Sequence, residues 1–272
     1  MSLPWRDRVK VAISASRVDV VRFAAGRPQR AAGTSSVSYR AEDGETQAHA
    51  IGRALSEALL AQPTRRAACE VVLSNSFARC AMLPWRDGIT DRAARSAYAR
   101  AFLNAVYGAG VERWEVREHE SGYGRPSAVC ALERDLLQAV RGAVSACGCH
   151  LRSVQPYFAA ALNYCRLRVK TRTHWFAVVE PDEICIAGIT DGHVSVLRMQ
   201  RVARDAAAEL ASLVEREALM LDAVSTRALY VFAPQLLSDA LTAPDGIETQ
   251  QFNPAPYLAP VAGDSRYAMA LV

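Results

Sequence analysis

Alternating apolar positions mark the start of the chain as β structure. Val9, Val11 and Ile13 occupy every second position, and a second apolar run covers residues 18–23 after a three-residue turn. A period of two places these side chains on one face of a strand. A third short strand is expected at residues 35–39. The pattern therefore predicts a β-hairpin followed by one further strand.

The period then changes from that of a strand to that of a helix. After Thr46, the segment 47–60 places Ile51, Leu55 and Leu59 on one stripe. A short apolar run at residues 69–73 predicts a buried strand. The order of elements in this first part of the chain is thus β-β-β-α-β.

The same order returns about 165 positions later in the chain. Strands are expected at residues 175–179, 183–190 and 193–198, and Asp191-Gly192 is a two-residue turn signal between the last two. A periodic helix at residues 205–221 and a strand at 228–233 complete the unit. Two units of the same order, with little residue identity, predict an internal structural duplication: two similar lobes that face each other across a cleft.

The segment between the two units carries further strands and helices. Its patterns predict an inserted α/β subdomain at about 77–132 within a first lobe of residues 1–156. The second lobe is expected at 157–254, and residues 255–272 are expected to return to the first lobe. The fold class is therefore predicted to be α/β with two lobes, each built on a β-β-β-α-β unit.

The composition excludes several classes of protein. Of the 272 residues, 51% are hydrophobic and 22% are charged, which is typical of a chain with a substantial core and excludes bulk disorder. No apolar run approaches the roughly 20 residues of a membrane helix. Charge follows immediately after the first residues, so no secretory signal is expected and the predicted location is the cytoplasm.

Two groups of residues with potential chemistry lack the context that they need. Seven cysteines, an odd number, are typical of buried thiols in a reducing compartment, and the segment Cys147-Gly148-Cys149-His150 has no second ligand pair for zinc. His119 lies beside Ser121 in a polar loop without a nucleophile elbow. We therefore expect no metal and no catalytic residue.

The order of elements in the central part of the chain resembles a known family. A helix, a glycine-led turn, a strand and a second helix fill residues 136–163, the strand 77–83 is followed by Pro84, and an apolar segment closes the chain at 267–271. With the duplicated unit, these features resemble the superfold of actin, Hsp70 and sugar kinases, a ribonuclease-H-like duplication. Within it, they look like PilM-type pilus-assembly proteins and the cytoplasmic part of GspL-type secretion proteins.

The resemblance implies where a nucleotide would bind, and the residues at these places differ from the family pattern. Where the first hairpin should read Asp-x-Gly, residues 12–16 retain only the hydroxyl side chains of Ser14 and Ser16. At the second hairpin, Glu180 and Asp182 stand where a glycine loop should cradle phosphate. These carboxylates repel phosphate.

A third position also departs from the nucleotide-binding pattern of the family. Ala233, followed by a proline, replaces the glycine pair that would admit a nucleotide base after the last strand of the second unit. Since all three loops depart from the pattern, we expect a degenerate nucleotide cleft, no cofactor and no catalysis. An active ATPase or kinase with unconventional loops is the alternative.

A run of cations at every second position is the strongest charge feature. Arg166, Arg168, Lys170 and Arg172 precede His174, and in an extended strand all of them would project from one face. Such a ribbon can contact an acidic partner tail, lipid headgroups or nucleic-acid phosphates. An acidic protein partner or a membrane surface ranks first, because no aromatic side chains interleave to stack bases. The alternative is a solvated connector between the lobes.

Together these features predict a non-catalytic scaffold. The resemblance implies a cytoplasmic protein that lies at the inner membrane through protein partners, in a type IV pilus or a type II secretion-like assembly. The partner would be the cytoplasmic tail of a membrane assembly protein or the assembly ATPase, and a homo-oligomer is possible. A binder of nucleic acid or another anionic surface through residues 166–174 is a further alternative, although no nucleic-acid partner is expected.

Overall fold

The structure is a computed structural model that describes residues 6–26, 31–89, 91–108, 110–119, 121–203, 205–220, 228–234, 246–253 and 264–272. The strands are β1 (Arg8–Ile13), β2 (Arg17–Phe23), β3 (Ala31–Ser38), β4 (Ala68–Leu73), β5 (Ala78–Leu83), β6 (Trp114–His119), β7 (Ser127–Glu133), β8 (His150–Pro156), β9 (His174–Val179), β10 (Glu183–Thr190), β11 (His193–Arg201), β12 (Ala228–Phe232) and β13 (Glu248–Phe252). The helices are α1 (Gln47–Leu60), α2 (Arg92–Tyr107), α3 (Arg134–Ala146), α4 (Tyr157–Cys165) and α5 (Ala206–Met220).

Contacts divide the chain into two compact units. The first unit comprises Met1–Phe77, Glu133–Ala160 and Pro254–Val272. The second unit comprises Ala78–Leu132 and Ala161–Asn253. The chain passes from the first unit to the second within α4.

The first unit is built on a five-stranded sheet of order β3-β2-β1-β4-β8. β1 is antiparallel to β2 and parallel to β4, which is the arrangement that a β-β-β-α-β unit requires. Helix α1 begins at Thr46, whose side chain accepts a hydrogen bond from the His49 backbone N–H. It packs closely on α3, because a Cβ at Gly52 would lie 3.4 Å from the Ala139 Cβ.

The end of the chain also belongs to the first unit. A 3₁₀ segment, Ser265–Leu271, contacts β1, β2 and β4. Lys10 in β1 donates a hydrogen bond to the main-chain oxygen of Val272 at 2.6 Å. Burial lowers the pKa of Lys10, although Glu70 acts in the opposite direction. This contact fixes the 3₁₀ segment on the sheet face that carries Lys10.

The second unit repeats the topology of the first. Its sheet has the order β11-β10-β9-β12-β13, with β9 antiparallel to β10 and parallel to β12. All six residues of β9 are buried, and helix α5 contributes Leu210, Leu213 and Val214 to the same core. The strand β13 is not evident in the sequence pattern, because Glu248–Phe252 is mostly polar and only Phe252 is buried.

The inserted segment forms a small sheet of its own. The strands lie in the order β5-β7-β6, and the apolar face of α2 packs against them through Ala99 and Leu103, with Leu83 and Val129 in the same cluster. The sequence assigns about 77–132 to the first lobe, since it interrupts that lobe between β4 and α3. In space, β5 contacts β11, so the inserted sheet groups with the second unit.

A search of the described residues for membrane-spanning helices finds no helix that is both long and apolar enough to cross a bilayer.

Candidate functional site

The turn that follows β1 is closed by its own hydrogen bonds. The backbone N–H of Ser14 donates to the Arg17 carbonyl at 2.9 Å, and the Ser14 hydroxyl donates to the same oxygen at 3.2 Å. The Tyr39 hydroxyl donates to the Ser14 carbonyl at 2.6 Å, and the Tyr39 N–H donates to the Ser16 carbonyl at 2.8 Å. The Ser14 amide and hydroxyl are thus committed to the hairpin rather than presented to a ligand.

A second polar group lies at the same end of the sheet and was not identified from the sequence. Ser74 follows β4, is buried, and donates its backbone N–H to the Ile13 carbonyl at 2.8 Å. The side-chain oxygen of Asn75, also buried, accepts a hydrogen bond from the Phe158 N–H at 2.8 Å. Ser74 thus joins the ends of β4 and β1, and Asn75 secures the start of α4.

The corresponding turn of the second unit, between β9 and β10, is acidic. The Glu180 N–H donates to the Glu183 carbonyl at 2.8 Å, and Glu180 is buried, with 8% of its surface exposed. Asp182 is exposed, and its carbonyl accepts a hydrogen bond from the Val202 N–H at 3.0 Å. Burial raises the pKa of Glu183, although Arg79 and Arg201 act in the opposite direction.

Ala233 lies close to this acidic turn. Phe232 in β12 pairs with Val178 in β9, so Ala233 and Glu180 stand at the same end of two neighbouring parallel strands. Ala233 is fully buried, and its carbonyl accepts a hydrogen bond from the Gln251 side-chain amide at 2.7 Å. The structure therefore brings Glu180 and Ala233 together in the second unit, while Ser14 and Ser16 belong to the first.

The residues at these strand ends do not fit the phosphates of a nucleotide. A phosphate cradle requires backbone N–H groups that point at the ligand, commonly from a glycine-rich turn. Here the amides of Ser14 and Glu180 donate within their own hairpins. The carboxylates of Glu180, Asp182 and Glu183 would in addition repel a polyanion.

The basic segment does not form the extended ribbon predicted from the alternation of its charges. The N–H of Arg166 donates to the Leu162 carbonyl, and the N–H groups of Arg168 and Val169 donate to the Cys165 carbonyl. These bonds continue helical turns beyond α4, because the last carbonyls of a helix need donors. The four cations therefore do not share one strand face.

One of the four cations is held against the protein surface. The Arg168 guanidinium lies 4.5 Å from the ring centre of Tyr164 and donates to the Tyr164 hydroxyl at 3.1 Å. It also donates to the Asn253 carbonyl at 3.3 Å. Arg168 thus has a packing role in the second unit and does not join the other three cations.

The remaining cations, Arg166, Lys170 and Arg172, line a cavity of about 390 Å³ within the second unit. We call it the basic cavity. His119, His174 and His193 also line it, and so do the aliphatic side chains of Leu162, Val169, Ile189 and Val194. No Asp or Glu side chain is among its described lining residues. The basic cavity is therefore cationic on part of its wall and apolar on another.

The environment of His174 differs from that of the other two histidines. His174 is 6% exposed and packs edge-on against the Tyr230 ring at 5.2 Å, while His119 and His193 are exposed. Burial lowers the pKa of His174, and a backbone interaction with Thr171 raises it in part. Its Nδ1 atom has no hydrogen-bond partner among the described residues.

Two of the three histidines of the basic cavity, His119 and His193, could not be assigned to it from the sequence. His119 ends β6 and His193 begins β11, far from Arg166 along the chain. Only the packing of the inserted sheet beside β11 brings these residues together. A histidine in a polar loop carries no local signal that would reveal such a neighbour.

The cysteines of the first unit make ordinary contacts. Cys149 donates its thiol to the Thr64 carbonyl at 3.2 Å, and the Cys147 sulfur lies 3.8 Å from the Ser56 carbonyl oxygen. Burial raises the pKa of the Cys147 thiol. Within the described ranges, no group of three or more His, Cys, Asp or Glu side chains is arranged to hold a metal ion.

No protein-family model matches the sequence, and no curated protein matches it significantly.

The fold, in contrast, is shared with several solved structures. The cytoplasmic domain of EpsL, an inner-membrane component of the type II secretion system of Vibrio cholerae, superposes with a TM-score of 0.61 at 15% identity, over 96% of this chain and 94% of that one. The PilM–PilN type IV pilus biogenesis complex superposes with a TM-score of 0.67 at 15% identity, over 97% of this chain and 96% of that one.

A third structure gives the fold its general name. A Bacteroides thetaiotaomicron protein with an actin-like ATPase fold superposes with a TM-score of 0.59 at 8% identity, over 96% of each chain. At such identities the agreement concerns the course of the backbone. The chain therefore has the two-lobed α/β actin-like fold, and the likeness to pilus-assembly and secretion proteins expected from its sequence is confirmed at the level of that fold.

Proposed function

We propose that the protein is a non-catalytic scaffold of a membrane-associated assembly, comparable to a type IV pilus or type II secretion system. It would act by binding the cytoplasmic segment of a membrane partner or the assembly ATPase, and it would lie at the inner membrane through these partners. The backbone similarity to the EpsL cytoplasmic domain and to the PilM–PilN complex supports this proposal.

The acidic turn between β9 and β10 is the observation that carries the non-catalytic part. Phosphoryl-transfer enzymes stabilise the charge of the transferred group with backbone N–H groups, cations and Mg²⁺. This turn presents the carboxylates of Asp182 and Glu183 near a buried Glu180, and its Glu180 amide is committed to the hairpin. The acidity of this turn therefore supports a protein that does not hydrolyse nucleotide.

A thermal-shift titration tests this part directly. The chain is titrated with ATP and with ADP, each with and without Mg²⁺, beside a known nucleotide-binding protein of the same fold. A ligand that binds only the folded state raises its melting temperature by mass action. Since we expect no nucleotide to bind, we expect no saturable rise in melting temperature up to millimolar nucleotide. A rise that saturates at micromolar nucleotide, and that persists when the basic-cavity cations Arg166 and Lys170 are replaced by glutamine, would overturn the proposal and favour an active ATPase or kinase.

The binding part of the proposal needs a separate measurement. Fluorescently labelled peptides are made from the cytoplasmic segments of membrane proteins encoded beside this gene, and their anisotropy is followed during titration with the full chain. We expect one segment to bind with a dissociation constant in the micromolar range, about 8 kcal/mol of binding free energy. If all of the segments behave like a scrambled peptide, and the neighbouring ATPase also fails to bind, the scaffold proposal is wrong.

A further inference from the structure

We propose that the basic cavity of the second unit binds a small phosphate ester, with the phosphate held by Arg166, Lys170 and Arg172. This site is independent of the proposed scaffold function and of the strand ends that would hold a nucleotide. The argument rests on the shape of the cavity, its charge and its mixed lining.

The size of the basic cavity suits a small molecule. Its volume of about 390 Å³ lies in the range of ligand pockets, roughly 300–1,000 Å³. It has space for about a dozen water molecules at roughly 30 Å³ each. A phosphorylated sugar or a phosphorylated polyol has a similar number of non-hydrogen atoms. A folded segment of a protein partner would be larger than the cavity.

The described residues that line the basic cavity do not balance its positive charge. Arg166 and Lys170 form no ion pair with any described residue, and Arg172 donates only to the main-chain oxygen of Asp191, at 3.1 Å. Three cations on one concave wall repel each other, and an anion relieves that repulsion. A phosphate monoester carries up to two negative charges and accepts hydrogen bonds from both guanidinium and ammonium groups. It matches this wall better than a single carboxylate does.

The rest of the lining suits the organic part of such a ligand. Leu162, Val169 and Ile189 supply an apolar wall, which is the usual majority of a ligand pocket. The His174 ring lines the same space beside these aliphatic side chains.

The decisive experiment compares a cavity variant with a matched variant of the same basic segment. Arg166→Gln/Lys170→Gln removes two cations from the cavity wall. Arg168→Gln removes a cation that packs on Tyr164 outside the cavity. A third variant, Arg92→Gln/Arg152→Gln, removes two exposed cations elsewhere in the chain. Thermal melts of all three establish that they fold.

Binding of glucose 6-phosphate, glycerol 3-phosphate and glucose to the full chain is measured by isothermal titration calorimetry in phosphate-free buffer of low salt. We expect saturable binding of the two phosphate esters and none of glucose. The cavity variant should bind at least about tenfold more weakly, because it loses two charge-assisted contacts to the phosphate. The other two variants should stay within about twofold of the parent chain.

A second arm distinguishes a soluble ester from a lipid-borne one. Flotation is measured with vesicles of phosphatidylcholine, with and without phosphatidic acid, whose headgroup is also a phosphate monoester. Binding that requires phosphatidic acid and disappears in the cavity variant would support the proposed chemistry with the phosphate at a membrane. If neither arm shows binding, or if all three variants lose affinity equally, the proposal is wrong.

The cavity variant also separates this site from the nucleotide question. If ATP raises the melting temperature of the parent chain but not of Arg166→Gln/Lys170→Gln, the triphosphate occupies the basic cavity, and the non-catalytic proposal stands. If the rise persists in the variant, nucleotide binds elsewhere, and the proposed function fails while the cavity remains to be judged by the phosphate esters alone.

Discussion

The strands β1 and β9 hold the same place in the two five-stranded sheets, yet their residues differ in chemistry. Each is the third strand in its sheet, antiparallel to one neighbour and parallel to the next. Aligned from their carboxyl ends, Val9 corresponds to Trp175 and Lys10 corresponds to Phe176. The first unit accepts a lysine where the second buries an aromatic ring. One topology is therefore compatible with two kinds of core.

The neighbouring strands show the same contrast. Asp19 in β2 pairs with Ala12, and its counterpart in β10 is Cys185, which pairs with Val178. The buried Asp19 carboxylate accepts hydrogen bonds from Arg17 Nε at 2.9 Å and from the Ser36 hydroxyl at 2.6 Å. At this position the first sheet therefore buries a polar group with partners, while the second buries a thiol.

Trp175 is the side chain on which the second core depends most. It is fully buried opposite Gly188, where a Cβ would approach the indole Cζ3 atom to 3.2 Å. Trp175→Ala should lower the free energy of unfolding by about 3–5 kcal/mol, because it leaves a large cavity. Val9→Ala in the first unit removes two methyl groups and should cost only about 2 kcal/mol. Urea unfolding followed by circular dichroism measures both.

Trp175→Phe sharpens this comparison. The Trp175 Nε1 atom has no hydrogen-bond partner among the described residues, so phenylalanine loses volume but no hydrogen bond. Its cost should therefore fall well below that of Trp175→Ala. If the two substitutions at Trp175 cost the same as Val9→Ala, the second core does not depend on the volume of the indole.

The periodicity of the sequence predicts most of the helices and strands of this fold, but it predicts few of the residues of the candidate site. Helix α1 spans the predicted residues 47–60, since its apolar stripe and its Thr46 cap are both local signals. Strand β13 was missed because Glu248–Phe252 lies at a sheet edge and buries one side chain. Its position follows from pairing with β12, which is a tertiary event.

The basic segment shows why the site was harder to predict. Alternating charge at residues 166–172 suggested a strand, but charge is weak evidence for a period when no apolar face accompanies it. The helical turns after α4 instead separate Arg168 from the other three cations. The basic cavity also needs His119 and His193, which only the packing of the inserted sheet brings near.

Asp19 tests the polar core of the first unit. Asp19→Asn should lower the free energy of unfolding by about 1–3 kcal/mol. It removes the negative charge that pairs with Arg17, and it leaves an amide NH₂ group where Arg17 Nε donates to the second carboxylate oxygen. Chemical denaturation at neutral pH gives the difference from the parent chain. Arg117→Gln is the matched control, because the Arg117 side chain is 75% exposed in its ion pair with Glu115. This substitution should lower the free energy of unfolding by about 0.5 kcal/mol or less. Equal losses would mean that burial adds nothing to the Asp19 contacts.

The smallest expected effect concerns the first residues of β1 and β9 and is a difference in how the free energy of unfolding depends on pH. Arg8 pairs with Glu70 at 2.7 Å, whereas His174 is buried and burial lowers its pKa. Above the ordinary histidine pKa of about 6.5, neither the folded nor the unfolded state binds a proton at this side chain. Below it, the unfolded state binds the proton more strongly, so the free energy of unfolding falls as the pH falls.

The variant His174→Gln isolates this contribution from that of the carboxylates, whose titration both proteins share. Between pH 7.5 and pH 5.5 in phosphate-free buffer, the parent chain should lose more stability than the variant, by at most about 1.4 kcal/mol, because only one pH unit of this range lies below the ordinary histidine pKa. Urea titrations at both pH values give the two slopes. If the free energy of unfolding changes equally with pH in the parent chain and in His174→Gln, His174 binds its proton equally in the folded and unfolded states. Burial at the first residue of β9 would then have no effect on the pH dependence of stability.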